Sequence, residues 1–238
     1  MEQSTLPLEA IAHRGVRERY PENSLPAFVA ALDAGADAIE LDVHATRDGV
    51  PVVHHDATLS ASSSSPLAGR HIAALDYAEL STFELATGVA LPTLQEILIA
   101  LTPRAKVYIE IKAADIEGVV AGVLARIPSA ESSCAVHSFD HRIAQRFKKI
   151  APAFATGLLI VGYPVDSASL LAAAGARDLW QNCEFIDEDL VTLIHRAGGR
   201  IVAWTCNDAA EWKRLEALGV DAICTDRTAA LVAWMRNE

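Results

Sequence analysis

Eight times along this chain a strand-like apolar run is followed by a helix-like one. The strand-like runs lie at residues 9–15, 38–46, 106–112, 133–139, 155–161, 178–183, 200–206 and 222–226. The helix-like runs lie at 24–35, 93–101, 116–127, 141–151, 167–176, 187–198, 208–219 and 228–237. Asp187 and Asp208 stand where helix N-caps belong, and Gly35 and Gly198 close helices. No shift in composition separates the units, so residues 1–238 read as one domain. Eight such units at this length are the rhythm of a (β/α)8 TIM barrel. An open doubly wound sheet is the alternative, but no GxGxxG or GxxxxGKS/T loop follows any of the strands.

One connection breaks the rhythm. Residues 57–92 join the second strand region to the next helix, far longer than the roughly two to six residues of an ordinary βα loop. Within it, "SASSSSP" (60–66) reads as flexible and "LDYAELSTFELA" (75–86) as helical. An insertion at the C-terminal end of a barrel strand is expected to sit over the active face. A decorative loop is the plainer reading.

Composition narrows the function. Hydrophobic residues make up 51% of the chain and charged residues 21%, enough for a sizeable core and too apolar for disorder. The formal net charge is −11, with no basic run, which argues against nucleic acid and anionic membrane surfaces as partners. Cys134, Cys183, Cys206 and Cys224 form no CxxC pair and lie in or beside apolar runs. They read as reduced core residues of a cytoplasmic protein. The start, "MEQSTLPLEAIAHRG", lacks the basic-then-apolar order of a signal peptide, and no uncharged apolar stretch is long enough to span a membrane.

The stretch "AIELDVHATRDGVPVVHHD" (38–56) carries the chemistry. Ile39, Leu41 and Val43 alternate with Ala38, Glu40 and Asp42, so two acids share one face of a strand that otherwise reads as buried. Burying unpartnered carboxylates costs roughly several kcal/mol each. Glu110 and Lys112 share a face of the third strand, and the first strand ends in His13-Arg14-Gly15. In a barrel the apolar alternates face the helices and the other set points inward, so these side chains converge at the C-terminal mouth. A buried salt-bridge cluster is the plain alternative. Yet Glu40, Asp42 and Glu110 carry three negative charges against two positive on Arg14 and Lys112, which leaves an acid over. Three convergent carboxylates form a hard-oxygen set suited to Mg2+ or Ca2+. A divalent cation brings the sum to +1, and a phosphodiester monoanion brings it to zero. His13 and His55 end strand-like runs on either side of this set, as acid–base catalysis near neutral pH requires. His54 alternates away from it.

"HRG" at 13–15, "PENSLPAF" at 21–28, "GADAIELDVHATRDGVPVVHHD" at 35–56, "LPTLQEIL" at 91–98, "IEIK" at 109–112, "SFD" at 138–140, "WTCND" at 204–208 and "GVDAICTD" at 219–226, in this order, resemble the glycerophosphodiester phosphodiesterases. The resemblance spans nearly the whole chain. It implies a TIM barrel that hydrolyses glycerophosphodiesters to sn-glycerol 3-phosphate and an alcohol with a divalent cation. It also implies His13 and His55 as catalytic histidines, Glu40, Asp42 and Glu110 as metal ligands, and Arg14 and Lys112 as phosphate contacts. Glu22 matches the pattern near the mouth. Asn23 and Ser24 read as caps of the first helix, and Trp204 as a residue lining the mouth or packed in the core.

Two departures stand out. After "HHDATL" the family has an Arg followed by threonines, where this chain has Ser60-Ala61-Ser62-Ser63. His137, in "VHSF", replaces a smaller residue and is placed to reach into the barrel. No strand-end Ser, Cys or Thr pairs with either histidine, so the nucleophile is water or the substrate's own 2-hydroxyl. A metal-dependent amidohydrolase lacks support because the first strand has no HxH pair. A catalytically silent phosphodiester- or metal-binding barrel and a lysophospholipase D-type enzyme stay open as alternatives.

Overall fold

The computed structural model describes residues 7–60 and 64–236. Eight strands form its centre: β1 (Glu9–His13), β2 (Ala38–Ala45), β3 (Lys106–Ile111), β4 (Cys134–Ser138), β5 (Ala155–Ile160), β6 (Asp178–Asn182), β7 (Arg200–Trp204) and β8 (Ala222–Thr225). Each pairs in parallel with the next, and β1 pairs with both β2 and β8. That last ladder closes the barrel and removes the open-sheet alternative. Eight helices follow the strands: α1 (Leu25–Asp33), α2 (Leu94–Leu101), α3 (Glu117–Leu124), α4 (His141–Ile150), α5 (Ser167–Ala174), α6 (Glu188–Arg196), α7 (Ala209–Leu218) and α8 (Thr228–Met235). None is long and apolar enough to cross a membrane.

Strand alternation sorts the side chains into two layers. Ile39, Leu41, Val107, Ile109 and Ile111 join Phe28, Leu98 and Val120 in the layer between barrel and helices. Each such fully buried side chain contributes about 1.5–3 kcal/mol relative to exposure. Ile11, Tyr108, Trp180, Val202 and Cys224 belong to a second cluster that fills the barrel interior. Helix starts follow local rules. Asp187 accepts from Leu190 N at 2.8 Å and Asp208 from Ala210 N at 2.8 Å, and Thr93 and Glu96 form a reciprocal capping box.

The N-terminal end of the barrel is plugged by charge. Arg200 Nη2 lies 2.7 Å from Glu9 Oε2, and its Nη1 donates to the Tyr108 hydroxyl at 3.1 Å. Lys106 and Arg177 add pairs to Glu9 and Asp178. Glu9, Lys106, Asp178 and Arg200 are each the first residue of a strand, so the network spans that end of the barrel.

Residues 57–92 differ from expectation in detail. Only Tyr77–Leu80 of the 75–86 stretch forms an α-helix; Glu84–Ala86 pairs instead with Val89–Ala90 as a small hairpin. Gly88, at φ +76°, supplies the left-handed turn residue there. A short strand, Pro51–Val53, runs antiparallel to β2. Val52, Leu59, Ile72, Leu75, Leu80, Phe83 and Leu91 form a small apolar cluster of their own, so the excursion has a core. Arg47 clamps it, with Nη2 2.6 Å from Asp76 Oδ2. The serine-rich stretch expected to be flexible includes residues 61–63, and the expectation about a leader includes residues 1–6; both sets lie outside the described residues.

Candidate active site

β1 ends at His13, and the chain turns sharply. Arg14 has φ +58° and Gly15 φ +82°. A Cβ at Gly15 would meet the Ala27 backbone carbon at 2.6 Å, so only glycine fits. The turn breaks strand phase. Arg14, in step with outward Ala12, swings back over the mouth, where its Nε lies 2.9 Å from Asp42 Oδ2 and its Nη1 donates to Glu22 Oε1 at 3.1 Å. Those contacts offset a left-handed backbone that costs about 1–3 kcal/mol.

β2 turns Glu40 and Asp42 inward, and β3 does the same for Glu110; all three are buried. Asn23, with φ +58°, does not cap α1. Its Nδ2 donates to Asp42 Oδ2 at 2.8 Å, and its Oδ1 accepts from Asp42 N at 3.2 Å. Ser24 provides the cap, accepting from Ala27 N at 3.3 Å. Lys112 Nζ lies 3.0 Å from Glu110 Oε1 and 3.5 Å from Asp42 Oδ1. Burial works to raise the Asp42 carboxyl, but the charges of Arg14 and Lys112 and the Asn23 bond hold it below the usual range. Glu110 goes the other way: burial, then the nearby Asp42 charge, push it up to about 8, and Lys112 does not compensate.

Two buried oxygens, Glu40 Oε2 and Asp42 Oδ1, have no hydrogen-bond partner. Among the described residues, ligand atoms of Glu40, Glu110 and His137 lie within 4.8 Å of one another. Orphaned carboxylate oxygens beside such a group fit a divalent cation. Asp42 lies outside that group; its Oδ2 is held by Asn23 and faces Arg14, and its Oδ1 is 3.5 Å from Lys112 Nζ.

The histidines flank this group. His13 Nε2 is 3.9 Å from Glu40 Oε2, and its Nδ1 is 2.7 Å from Asp226 Oδ1. Burial opposes ionisation of Asp226, but His13, Asn207 and Arg17 outweigh it and hold the carboxyl well below the ordinary range. An ionised carboxylate only accepts, so His13 Nδ1 carries a proton and Nε2 is the nitrogen turned towards Glu40. Asn207 Nδ2 donates to Asp226 Oδ2 at 2.8 Å, and its Oδ1 accepts from Asp226 N at 2.8 Å. Asp226 and Asn207 received no role from the sequence. The available signal was phase: Asp226 follows β8 in step with inward Cys224. His55 Nδ1 is 2.8 Å from Asp56 Oδ1. His54 Nδ1 lies 2.8 Å from the Asp56 carbonyl oxygen.

A pocket of about 200 Å³ opens here, lined by His13, Arg14, Glu40, His55, Glu110 and Lys112 together with His137 and a set of aromatic rings. Trp204 lines it and packs edge-on against Phe139, with ring centroids 5.3 Å apart. Asp42 sits beneath the lining, with no exposed surface. Glu22 stands to one side, bridging Arg14 and Arg17.

The pocket thus brings together two cations for an anion, carboxylates for a metal and two imidazoles for proton transfer. Comparison with known proteins gives the family. The model of the glycerophosphoryl diester phosphodiesterase family matches residues 13–230. A glycerophosphodiester phosphodiesterase of Caldanaerobacter subterraneus is 31% identical over 237 residues, covering 95% of this chain and 97% of that protein. One from Bacillus altitudinis is 30% identical over 230 residues, covering 90% and 93%. The crystal structure of a glycerophosphodiester phosphodiesterase from Agrobacterium tumefaciens superposes with a TM-score of 0.84 at 28% identity, covering 95% of this chain and 99% of that one.

Proposed function

Because this chain belongs to the glycerophosphoryl diester phosphodiesterase family and is an enzyme of that family, we propose that its pocket hydrolyses glycerophosphodiesters to sn-glycerol 3-phosphate and an alcohol with two histidines and a divalent cation. One observation carries the reading: unpartnered oxygens of Glu40 and Asp42 lie beside a pocket that Arg14, Lys112, His13 and His55 line together. Glu40, Asp42 and Glu110 would hold the cation, Mg2+ or Ca2+ by their oxygen chemistry, and when bound it neutralises charge that develops on the phosphoryl group.

The chain's own groups do the rest. Arg14 and Lys112 seat the non-bridging oxygens of the phosphodiester. Arg14 is pre-aimed by Glu22 and Asp42, so little side-chain freedom is lost on binding. His13, its Nδ1 proton held by Asp226, presents Nε2 to the pocket; His55 is held at Nδ1 by Asp56. One imidazole takes the proton of the attacking hydroxyl and the other protonates the leaving alcohol oxygen. No side-chain nucleophile has been assigned beside them. The glycerol 2-hydroxyl is already tethered next to phosphorus, and tethering is worth up to about 10⁵ M or more in effective concentration. Its attack forms a five-membered 1,2-cyclic phosphate, which water opens with the two histidines exchanging roles.

The exposed apolar rim favours a second substrate class. Phe139 follows β4, and Val161, Tyr163 and Val165 follow β5, all substantially exposed at the mouth end of their strands. A lysophospholipid has the same phosphodiester with an acyl chain that such a rim could cover. The four cysteines are free, which suits the reducing cytoplasm as compartment.

The test is turnover of glycerophosphocholine and of lysophosphatidylcholine, with Mg2+, with Ca2+ and after exhaustive chelation. Glycerol phosphate released only with metal supports the reading; full activity after chelation overturns the cation's part. A 2-deoxy analogue and phosphorus NMR address the route. Cleavage of that analogue at the native rate, with no cyclic phosphate seen, makes direct water attack the better account.

A further inference from the structure

His137 is the residue in this pocket whose position is least explained by the chemistry above. It points inward from β4, opposite Glu110 of β3 and Gly157 of β5 in the ladders. It is only 1% exposed. Its Nδ1 is buried without a hydrogen-bond partner, and its Nε2 lies 3.7 Å from Glu40 Oε1, beyond hydrogen-bond reach. A buried ring nitrogen without a partner is costly, by about 1–3 kcal/mol.

The ring is nonetheless held firmly. It stacks on Trp180, with centroids 4.2 Å apart and planes 12° from parallel. Gly157 makes room for that indole, since a Cβ there would meet Trp180 Cδ1 at 2.8 Å. In most metal-binding histidines the second ring nitrogen fixes orientation through a hydrogen bond. Here the Trp180 face does so, and it leaves Nε2 directed at the carboxylates.

We propose that His137 is a nitrogen ligand to the cation, alongside Glu40 and Glu110, and that it shifts the site's preference from Mg2+ and Ca2+ towards borderline metals such as Mn2+ and Zn2+. This rests on the cation site proposed above and adds a ligand to it. The ligand atoms of the three residues already lie within 4.8 Å of one another. Carboxylates alone select hard cations, whereas imidazole binds Mn2+, Co2+ and Zn2+ far better than Mg2+ or Ca2+. A cation at this point also satisfies the orphaned Glu40 Oε2 and gives the buried imidazole a partner.

The test reads the metal rather than turnover. The full chain, stripped of metal, is loaded with Mn2+, and pulsed electron paramagnetic resonance is searched for nitrogen coupling. Calorimetry then gives the ratio of Zn2+ to Mg2+ affinity in the wild type and in His137→Gln and His137→Ser, each checked for folding by its melting transition. Nitrogen coupling in the wild type that disappears in both variants, with the affinity ratio falling by tenfold or more, is the expected result. Tight Mn2+ binding without nitrogen coupling, or an unchanged ratio in folded variants, overturns the assignment of His137 while leaving the carboxylate site standing. If the wild type binds no divalent metal, and Glu40→Gln behaves identically, both readings fail.

Discussion

Asp226→Asn should disable His13 by inverting its tautomer. The structure fixes why. Asn207 Oδ1 accepts from Asp226 N at 2.8 Å and from Thr225 Oγ1 at 3.0 Å, so its NH2 must be the group that faces residue 226. An amide introduced at 226 that keeps the Asn207 bond turns its oxygen to Asn207 and its own NH2 to His13 Nδ1, and gives up the longer 3.3 Å bond from Arg17 Nη1. His13 Nδ1 then has to accept, which moves the proton to Nε2 and leaves His13 no basic nitrogen facing the pocket. Loss of the 2.7 Å bond to a carboxylate is worth about 1.5–3 kcal/mol. That converts to roughly 10- to 160-fold in rate. A blocked general base pushes the loss towards the 10²–10⁴-fold range typical of such groups. The assay is kcat on glycerophosphocholine at saturating metal, with Mn2+ affinity as a check that the cation site is intact. The double variant Asp226→Asn with Asn207→Asp is the sharper test. There the new carboxylate accepts from the amide NH2, the amide oxygen turns to His13, and the productive tautomer returns. The double variant should recover at least tenfold over the single one. A single variant within threefold of wild type, or a double variant no better than the single, refutes the reasoning.

His13→Gln and His55→Gln should each lower kcat by about a hundredfold or more while metal binding by calorimetry stays near wild type; a normal His55→Gln alongside an inactive His54→Gln would exchange the roles given to those neighbours. Glu110 offers a pH test. Its carboxyl sits near 4.5 when unperturbed and at about 8 in the fold, so between those values the native state keeps a proton the unfolded state has released. Stability of the metal-free protein should fall as pH rises across that window, and Glu110→Gln should flatten the urea midpoint against pH; a slope unchanged by the substitution counts against it. Leu75→Ala in the 57–92 excursion should cost about 2–5 kcal/mol by urea unfolding, as buried leucines do, and should change relative rates among glycerophosphodiesters, whereas identical rate ratios would free that segment from any part in substrate choice.

Period two is a loud signal, and it carried much of the pocket. Glu40, Glu110 and Lys112 interrupt apolar runs at alternating positions, so their shared inward face is legible from residues a few places apart. The same rule fails where the strand ends. Arg14 stands in outward phase, and only a left-handed turn, forced by the Gly15 contact with Ala27, brings it over the mouth. Asn23 precedes a helix and so reads as a cap, yet the same kind of backbone turn aims its amide at Asp42. Asp226 meets His13 across nearly the whole chain, from the other end of the closing ladder, and no local pattern encodes such a pairing. The 75–86 stretch shows the reverse error. Its apolar spacing suits a helix, but Leu75, Leu80 and Phe83 are drawn into one small cluster and Gly88 turns the chain back.

The barrel has a floor as well as a mouth. Glu9, Tyr108 and Arg200 lock across its N-terminal end, with Ile11, Trp180 and Val202 filling the interior. A vessel of that shape has one door. A diester bound in the pocket at that mouth would have to leave, in two pieces, by the way it came. The fragment nearer the door departs first. On the function proposed above, a fragment seated on Arg14 and Lys112 would block the entry of a second diester for as long as it stayed. The phosphate-bearing product should then compete with incoming substrate, and the freed alcohol should not.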